Sequence, residues 1–201
     1  MSQQIVMCGI PRSGSTLVWQ ILQAVFADEF ILKTHPDIWE PDGSTVIVSI
    51  RNPFDVVASL LRVRLSREGR NEFIQDDIEN VLGRTILCFE RLDGLLYGSH
   101  ALLRYEHFYN DYSLIYDVIR SIFGFSVSFL DRKRINEQFS LKNNQERAAA
   151  LKDFNEVDLC QIHGDHIGCI HPGYWERYLP DWSFGQVVDI CEPICEEWGY
   201  E

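Results

Sequence analysis

The side chains best suited to chemistry lie in a glycine-containing loop near the start of the chain. Gly9 and Gly14 are separated by four residues, and two hydroxyl side chains, Ser15 and Thr16, follow them. An apolar segment precedes the loop and a helical pattern follows it, so the first N–H groups of that helix would point at one anion. The spacing predicts a phosphate-binding loop, but Ser15 stands where nucleoside triphosphatases carry a lysine. The cation within this loop is Arg12.

A second group of polar side chains follows the apolar run 46–50. Arg51 comes directly after this run, Pro53 suits the first turn of a helix, and Ser59 lies about two turns into that helix. In a magnesium-dependent triphosphatase a strand of this kind often ends in an aspartate that organises the metal. Because a guanidinium and a hydroxyl stand here instead, the pattern predicts a second phosphate site.

These segments resemble the motifs of sulfotransferases that use PAPS (3′-phosphoadenosine 5′-phosphosulfate). Residues 11–16 look like the family's 5′-phosphosulfate loop, and 51–59 look like its 3′-phosphate motif. Residues 33–36 (Lys-Thr-His-Pro) are similar to the segment that carries the general base in the cytosolic branch, and 103–106 to the strand whose tyrosine contacts the adenine. The run from 166 to 200 resembles the closing segment of bacterial members.

The resemblance implies in-line transfer of a sulfuryl group from PAPS to a hydroxyl or amine, with PAP as the product and no metal required. Arg12 would stabilise the leaving phosphate, and His35 would take the acceptor proton, with Lys33 as the third catalytic residue. Asp37 or Glu40 is the alternative base. The family's Arg-Lys-Gly element has no clear match, and His166 and Gly168 are its nearest candidates. The residues implied to bind the nucleotide are Arg12, Ser13, Gly14, Ser15, Thr16, Arg51, Ser59, Tyr105, His166 and Gly168.

Other interpretations of the same residues remain open. One is a P-loop kinase or triphosphatase without its usual lysine, and another is a nucleotide-binding protein without catalytic activity. A third is a zinc site, because cysteines and histidines recur at three-residue intervals near the end of the chain. They are Cys160, His163, His166 and Cys169, with Asp165 and His171 nearby. Their intervals do not match the paired knuckles of common zinc sites, so we expect no metal.

The elements that would position these residues alternate along the first 125 positions. Apolar runs predict strands at 4–8, 30–34, 46–50 and 101–105. Three- and four-residue spacing predicts helices at 14–27, 53–67, 72–97, 110–123, 128–139, 141–154 and 183–198. This order predicts an α/β fold, a three-layer P-loop-type parallel sheet flanked by helices, with a helical C-terminal region. The remaining stretch, 155–182, is too long for a passive connection, and we expect a lid that bound nucleotide orders.

Composition limits the partners that this chain can take. With 201 residues it can bury its own core, so we expect a single domain over 1–201. Its net charge of −12 disfavours nucleic acid and anionic membranes, and no apolar run is long enough to span a bilayer. We expect a cytoplasmic protein with reduced cysteines, Cys191 and Cys195 in its core, and a small or medium hydroxylated acceptor. The oligomeric state stays open. Aromatic side chains that could line the acceptor slot are Trp39, Phe73, Tyr97, Tyr109 and Tyr112.

Overall fold

A parallel sheet forms the centre of the protein. The computed structural model describes residues 4–27, 29–39, 43–96, 99–164, 167 and 171–200. Within these ranges lie β1 (Ile5–Gly9), β2 (Ile31–Thr34), β3 (Thr45–Ile50) and β4 (Ser99–Arg104), in the spatial order β2-β1-β3-β4. All neighbouring pairs are parallel, and Ile5 pairs with Ile31 on one side and Thr45 on the other. The loop after β1 is therefore flanked by the carboxyl ends of β2 and β3.

Helices connect and cover these strands. They are α1 (Ser15–Val25), α2 (Pro53–Glu68), α3 (Gln75–Leu96), α4 (Tyr105–Phe108), α5 (Ser113–Phe123), α6 (Phe129–Gln138), α7 (Leu141–Ala149), α8 (Trp175–Tyr178) and α9 (Phe184–Trp198). Proline at the first position of α2 has the φ angle that a helix needs, and the Asn52 side chain caps this end by accepting from the N–H of Phe54. Left-handed Gly69 ends α2.

The two faces of the sheet bury alternate strand residues in separate cores. Met7 and Ile47 pack against residues of α1, α4 and α5 on one face. Val6 and Val48 pack on the other face with residues of α2, α3 and α9. A third cluster joins α2, α3 and α9, and it buries Cys191 and Cys195, as their helical spacing predicted. Helix, sheet and helix layers confirm the predicted α/β class.

Several helix boundaries differ from the predictions for local reasons. Helix α3 begins at Gln75 rather than 72, where the Asp77 carboxylate accepts from the N–H of Ile74. The predicted helix 110–123 begins only at Ser113, and the short α4 before it was not predicted. The predicted helix 141–154 ends at Ala149, where the chain tightens into turns. Helix α1 ends at Val25 rather than at 27.

The described cysteines are all free thiols, namely Cys8, Cys88, Cys160, Cys191 and Cys195. In the ranges that the structure describes, none of the helices combines the length and apolar character that crossing a bilayer requires.

Candidate functional site

The loop between β1 and α1 forms a concave row of backbone N–H groups. Arg12 and Gly14 both take the left-handed conformation, at φ 71° and 76°, which turns successive amides inward. A Cβ on Gly14 would stand 2.7 Å from the ring of Tyr105, so glycine is needed for space as well as for conformation. Ser15 and Thr16 open α1, whose first turn carries no acidic residue. Free helix N–H groups and this loop together favour an anion.

Arg12 joins this loop to the second predicted phosphate motif. Its Nε donates to the Ser59 Oγ at 2.9 Å, which leaves the hydroxyl proton of Ser59 free to donate to a ligand. Burial lowers the pKa of Arg12 to about 9, and the nearby charges of Arg62 and Arg51 lower it further. A bound anion would offset this clustering of positive charge.

Arg51 lies at the end of β3 with only 4% of its surface exposed. Its guanidinium sits 4.4 Å from the ring centroid of Tyr105, and its Nη2 is 3.5 Å from an Asp55 carboxylate oxygen. The Nε of Arg51 is buried and has no hydrogen-bond partner among the described residues. Since a buried donor without an acceptor is costly, this atom indicates a ligand oxygen.

Lys33 and His35 extend from the end of β2 toward the same loop. Lys33 Nζ donates to Thr16 Oγ1 at 2.7 Å, and burial followed by the charge of Arg12 lowers the pKa of Lys33 to about 8. His35 Nδ1 lies 2.6 Å from the carbonyl oxygen of Gly9. Because a carbonyl oxygen only accepts, Nδ1 carries the proton and Nε2 keeps a lone pair. Burial also lowers the pKa of His35 from its usual 6.5, which keeps the imidazole neutral.

The alternative bases are placed less favourably than His35. Asp37 pairs with Arg84 of α3 at 3.1 Å, and Arg91 donates to the Asp37 carbonyl oxygen at 2.9 Å. The Asp37 carboxylate is thus already engaged by a guanidinium. Glu40 lies outside the described residues.

One cavity of about 880 Å³ brings most of the predicted residues together. Those on its wall are Arg12, Gly14, Ser15, Thr16, Lys33, His35, Arg51, Ser59 and Tyr105. Tyr109 and Tyr112, two of the aromatic residues expected near the acceptor, also line it. Helix α3 and five described residues between 154 and 167 also contribute to its wall.

Comparison with known proteins identifies the architecture around this cavity. No protein-family model matches the sequence, and no curated protein matches it. The chain is similar to the crystal structure of mouse sulfotransferase SULT7A1 complexed with PAP, with a TM-score of 0.66 and 14% sequence identity. The match covers 94% of this chain and 84% of the mouse chain. The chain has the sulfotransferase fold. The resemblance that its motifs suggested is thus confirmed at the level of the fold.

Among the described residues that the resemblance assigned to the nucleotide, Ser13 does not line the cavity of this sulfotransferase fold. Ser13 turns away from the cavity, because its hydroxyl donates to the Ile10 carbonyl oxygen at 2.7 Å and contacts Ser49 Oγ at 2.7 Å. Its backbone N–H also donates to Ile10. Ser13 therefore shapes the loop and has no donor left for a phosphate. His166, Gly168 and Tyr97 lie outside the described residues.

Two aromatic residues expected near the acceptor pack elsewhere in the sulfotransferase fold. Trp39 packs against the core on the α3 face of the sheet. Phe73 packs edge-on against Tyr178, with 5.6 Å between ring centroids.

Asp55 is a residue of the candidate site that the sequence reasoning missed. Its buried carboxylate accepts from the backbone N–H groups of Gly173, at 2.9 Å, and Trp175, at 3.3 Å, while pairing with Arg51. It therefore connects residues 171–175 to Arg51, the residue predicted to bind a phosphate. The available signal was its position four residues after Arg51, on the same face of the helix.

Gln20 is a second missed residue on the wall of the cavity. It is 1% exposed, its Nε2 donates to the Cys160 carbonyl oxygen at 2.8 Å, and its Oε1 accepts from Asn144 at 3.0 Å. One polar side chain within the apolar surface of α1 was the signal that could have found it. Gln20 holds the segment around Cys160 against the sulfotransferase core.

The cysteine and histidine residues considered as a zinc site are only partly within the described residues. His163 Nδ1 lies 3.0 Å from the Phe154 carbonyl oxygen, and the His163 ring stacks on the Phe154 ring at 4.7 Å. In the described part of the chain, no three histidine, cysteine or acidic side chains are grouped so as to hold a metal ion. Asp165, His166 and Cys169 lie outside that part.

Proposed function

We propose that this protein is a PAPS-dependent sulfotransferase that transfers a sulfuryl group to a hydroxyl or amine of a small or medium-sized acceptor. One observation carries the proposal. Two anion sites, the loop after β1 and the buried Arg51, open on the same cavity as His35, and Arg12 bridges them through Ser59. A ligand with a 5′-phosphosulfate and a 3′-phosphate has the two anionic groups that this pair of sites would hold.

The hydrogen-bond donors on the cavity wall suit the two anionic groups of such a nucleotide. Loop amides and the hydroxyls of Ser15 and Thr16 would hold the 5′-phosphosulfate, and Arg51 Nε and the Ser59 hydroxyl the 3′-phosphate. When bound, PAPS supplies the sulfuryl group, which leaves its bridging oxygen for the acceptor oxygen or nitrogen. Arg12 and Lys33 would supply the positive charge that stabilises that bridging oxygen.

His35 would move the acceptor proton in this reaction. Its Nδ1–H is held by the Gly9 carbonyl oxygen, which orients the ring and leaves Nε2 to accept the proton of the acceptor. Its lowered pKa keeps that lone pair available at neutral pH. The Gly9 carbonyl belongs to the strand that begins the phosphate loop, so base and nucleotide share one rigid support.

A kinase or triphosphatase is the runner-up, and the residue types favour it less. Arg51 stands where a magnesium-dependent triphosphatase often carries its metal-binding aspartate, and Ser15 stands where it carries its lysine. Arg12 and Arg51 favour direct contact with a phosphate over coordination of a metal ion at that place.

Transfer from radiolabelled PAPS to a panel of hydroxylated metabolites, lipids and sugars tests the proposal. We expect labelled product with at least one acceptor, and we expect His35→Ala to remove most turnover while PAP binding stays nearly intact. His107 is exposed and lies away from the cavity, so His107→Ala is the matched control. Undiminished turnover in His35→Ala would remove His35 as the base. A protein that neither binds PAP nor transfers label would overturn the proposal.

A further inference from the structure

The described residues that line the cavity have the opposite charge balance from the whole protein. The chain carries 18 basic and 30 acidic residues. The charged side chains on the cavity wall are Arg12, Lys33, Arg51, Arg64, Arg67, Arg84 and a single acid, Glu68. Only the first three of these belong to the proposed nucleotide site. The three remaining arginines therefore need another explanation.

The α2 part of this wall lies beyond the proposed nucleotide site. Leu60, Val63, Arg64 and Arg67 line the cavity from α2 and occupy positions i, i+3, i+4 and i+7, which places them on one face of the helix. Arg67 is eight residues beyond Ser59, a rise of about 12 Å along the helix axis. The backbone of Arg67 is therefore well separated from a phosphate held by Ser59.

Two of the three remaining arginines already have acidic partners. Arg64 Nε is 2.6 Å from Asp77 and 3.3 Å from Glu68. Arg84 pairs with Asp37 at 3.1 Å. Their charges are largely balanced within the protein.

Arg67 is the exception among these arginines. No carboxylate among the described residues pairs with it, and its solvent-exposed guanidinium lies 5.5 Å from the ring centroid of Phe154. The acid next to it, Glu68, is engaged by both Arg64 and Arg70. Contact with an aromatic face leaves the guanidinium N–H groups able to donate to an oxyanion.

The positive charge extends from the nucleotide site to Arg67 across the cavity. His163 lines the same cavity and stacks on Phe154, the ring that Arg67 contacts. Burial lowers the pKa of His163, and the positive charges of Lys33, Arg12 and Arg67 lower it further. An anionic group that enters beside His163 is therefore attracted from both ends of the cavity.

We propose that the acceptor is a hydroxylated carboxylate, whose carboxylate binds Arg67 at the cavity mouth while its hydroxyl reaches His35. This inference rests on the proposed sulfotransferase activity. The cavity wall also carries the apolar side chains of Leu60, Val63 and Ile162, which suit a hydrocarbon or aromatic body. A carboxylate matches one guanidinium because it can accept two parallel N–H bonds.

Matched acids and methyl esters test this assignment. The probes are 3-(4-hydroxyphenyl)propanoate, 8-hydroxyoctanoate and the methyl ester of each. Binding to the PAP-loaded protein is measured by calorimetry, and transfer is measured with radiolabelled PAPS. We expect each acid to bind about fivefold to tenfold more tightly than its ester, with a smaller difference at high salt.

Substitution at Arg67 assigns the preference to this side chain. Arg67→Ala is expected to abolish the preference for the acid, and Arg67→Glu is expected to reverse it. Arg120 is an exposed arginine of α5 that does not line the cavity, so Arg120→Ala is the control and should keep the preference.

The outcomes separate this inference from the proposed function. Equal or tighter binding of the esters by a protein that binds PAP overturns the carboxylate site and leaves the proposed function standing. A preference that survives in Arg67→Ala also overturns it. Absence of PAP binding and of transfer overturns the proposed function. In that case, a carboxylate site would still be supported if the free protein binds the acids more tightly than the esters and Arg67→Ala removes this difference.

Discussion

Replacing Arg51 by glutamine separates the two roles that the structure gives this residue. Inside the protein, Arg51 covers the Tyr105 ring at 4.4 Å and pairs with the Asp55 carboxylate at 3.5 Å. Arg51 also lines the cavity, and its buried Nε has no acceptor among the described residues. The first role predicts a loss of stability, and the second predicts a loss of nucleotide affinity.

The two losses have different magnitudes. Breaking a buried ion pair costs about 3 to 5 kcal/mol when one charge stays behind. The Asp55 side chain is fully buried but keeps the N–H groups of Gly173 and Trp175, so we expect Arg51→Gln to lower the free energy of unfolding by about 3 kcal/mol. Loss of a charge-assisted hydrogen bond to phosphate costs about 2 kcal/mol, which raises the Kd for PAP about thirtyfold.

A double variant tests whether the two losses are separate. Arg51→Gln combined with Asp55→Asn removes the unpaired carboxylate, so it should recover at least half of the lost stability and none of the PAP affinity. Urea unfolding and calorimetry measure the two quantities. The control Arg120→Gln alters an exposed pair and should change stability by less than about 0.5 kcal/mol. Wild-type PAP affinity in Arg51→Gln would refute its phosphate role, and equal instability of both variants would refute the buried-charge argument.

Three further predictions concern the loop, the base and the connecting segment. In a pH profile of kcat/KM for PAPS, the acid-side loss of activity should occur only below pH 6.5, because the lowered pKa of His35 keeps its imidazole neutral down to lower pH. Activity should fall again near pH 8, where Lys33 loses its proton. An acid limb at or above pH 6.5 would contradict this role for His35. Gly14→Ala should lower the free energy of unfolding by about 2 kcal/mol, because the φ of 76° and the Tyr105 ring both oppose a Cβ at this position. Gly83→Ala, in open space on α3, should raise the free energy of unfolding by about 0.5 to 1 kcal/mol in the same urea titration. Equal effects of the two substitutions would refute the strain argument. PAP should slow proteolysis within 155–182, and an unchanged cleavage rate would reject the expected lid.

The sequence predicted the elements of the fold that depend on local patterns. The apolar run before Gly9, the glycine spacing and the helical pattern after Thr16 together define one strand, loop and helix, and the structure has them within two residues at every boundary. Pro53 likewise marks the start of α2 at the residue where the structure has it. Such signals arise from backbone conformation and hydrophobic periodicity, which neighbouring residues determine.

The contacts that complete the site join residues far apart in the chain. Arg12 reaches Ser59 across 47 positions, and Gln20 reaches Cys160 across 140 positions. No local pattern encodes these pairs, because they depend on how α1, α2 and the later segments pack on the sheet. Ser13 shows that prediction from the sequence is limited at short range as well. Its hydroxyl group could bind a phosphate, but the turn directs this hydroxyl to the Ile10 carbonyl oxygen.

The central claim is that two anion sites on one cavity bind PAPS rather than a metal-bound triphosphate. Calorimetric titration of the protein with PAP in the presence of EDTA, alongside a titration with ATP and magnesium, tests this claim most directly. We predict tight binding of PAP without magnesium, weakened about thirtyfold by Arg51→Gln. Binding of ATP that requires magnesium, with no affinity for PAP, would contradict the claim.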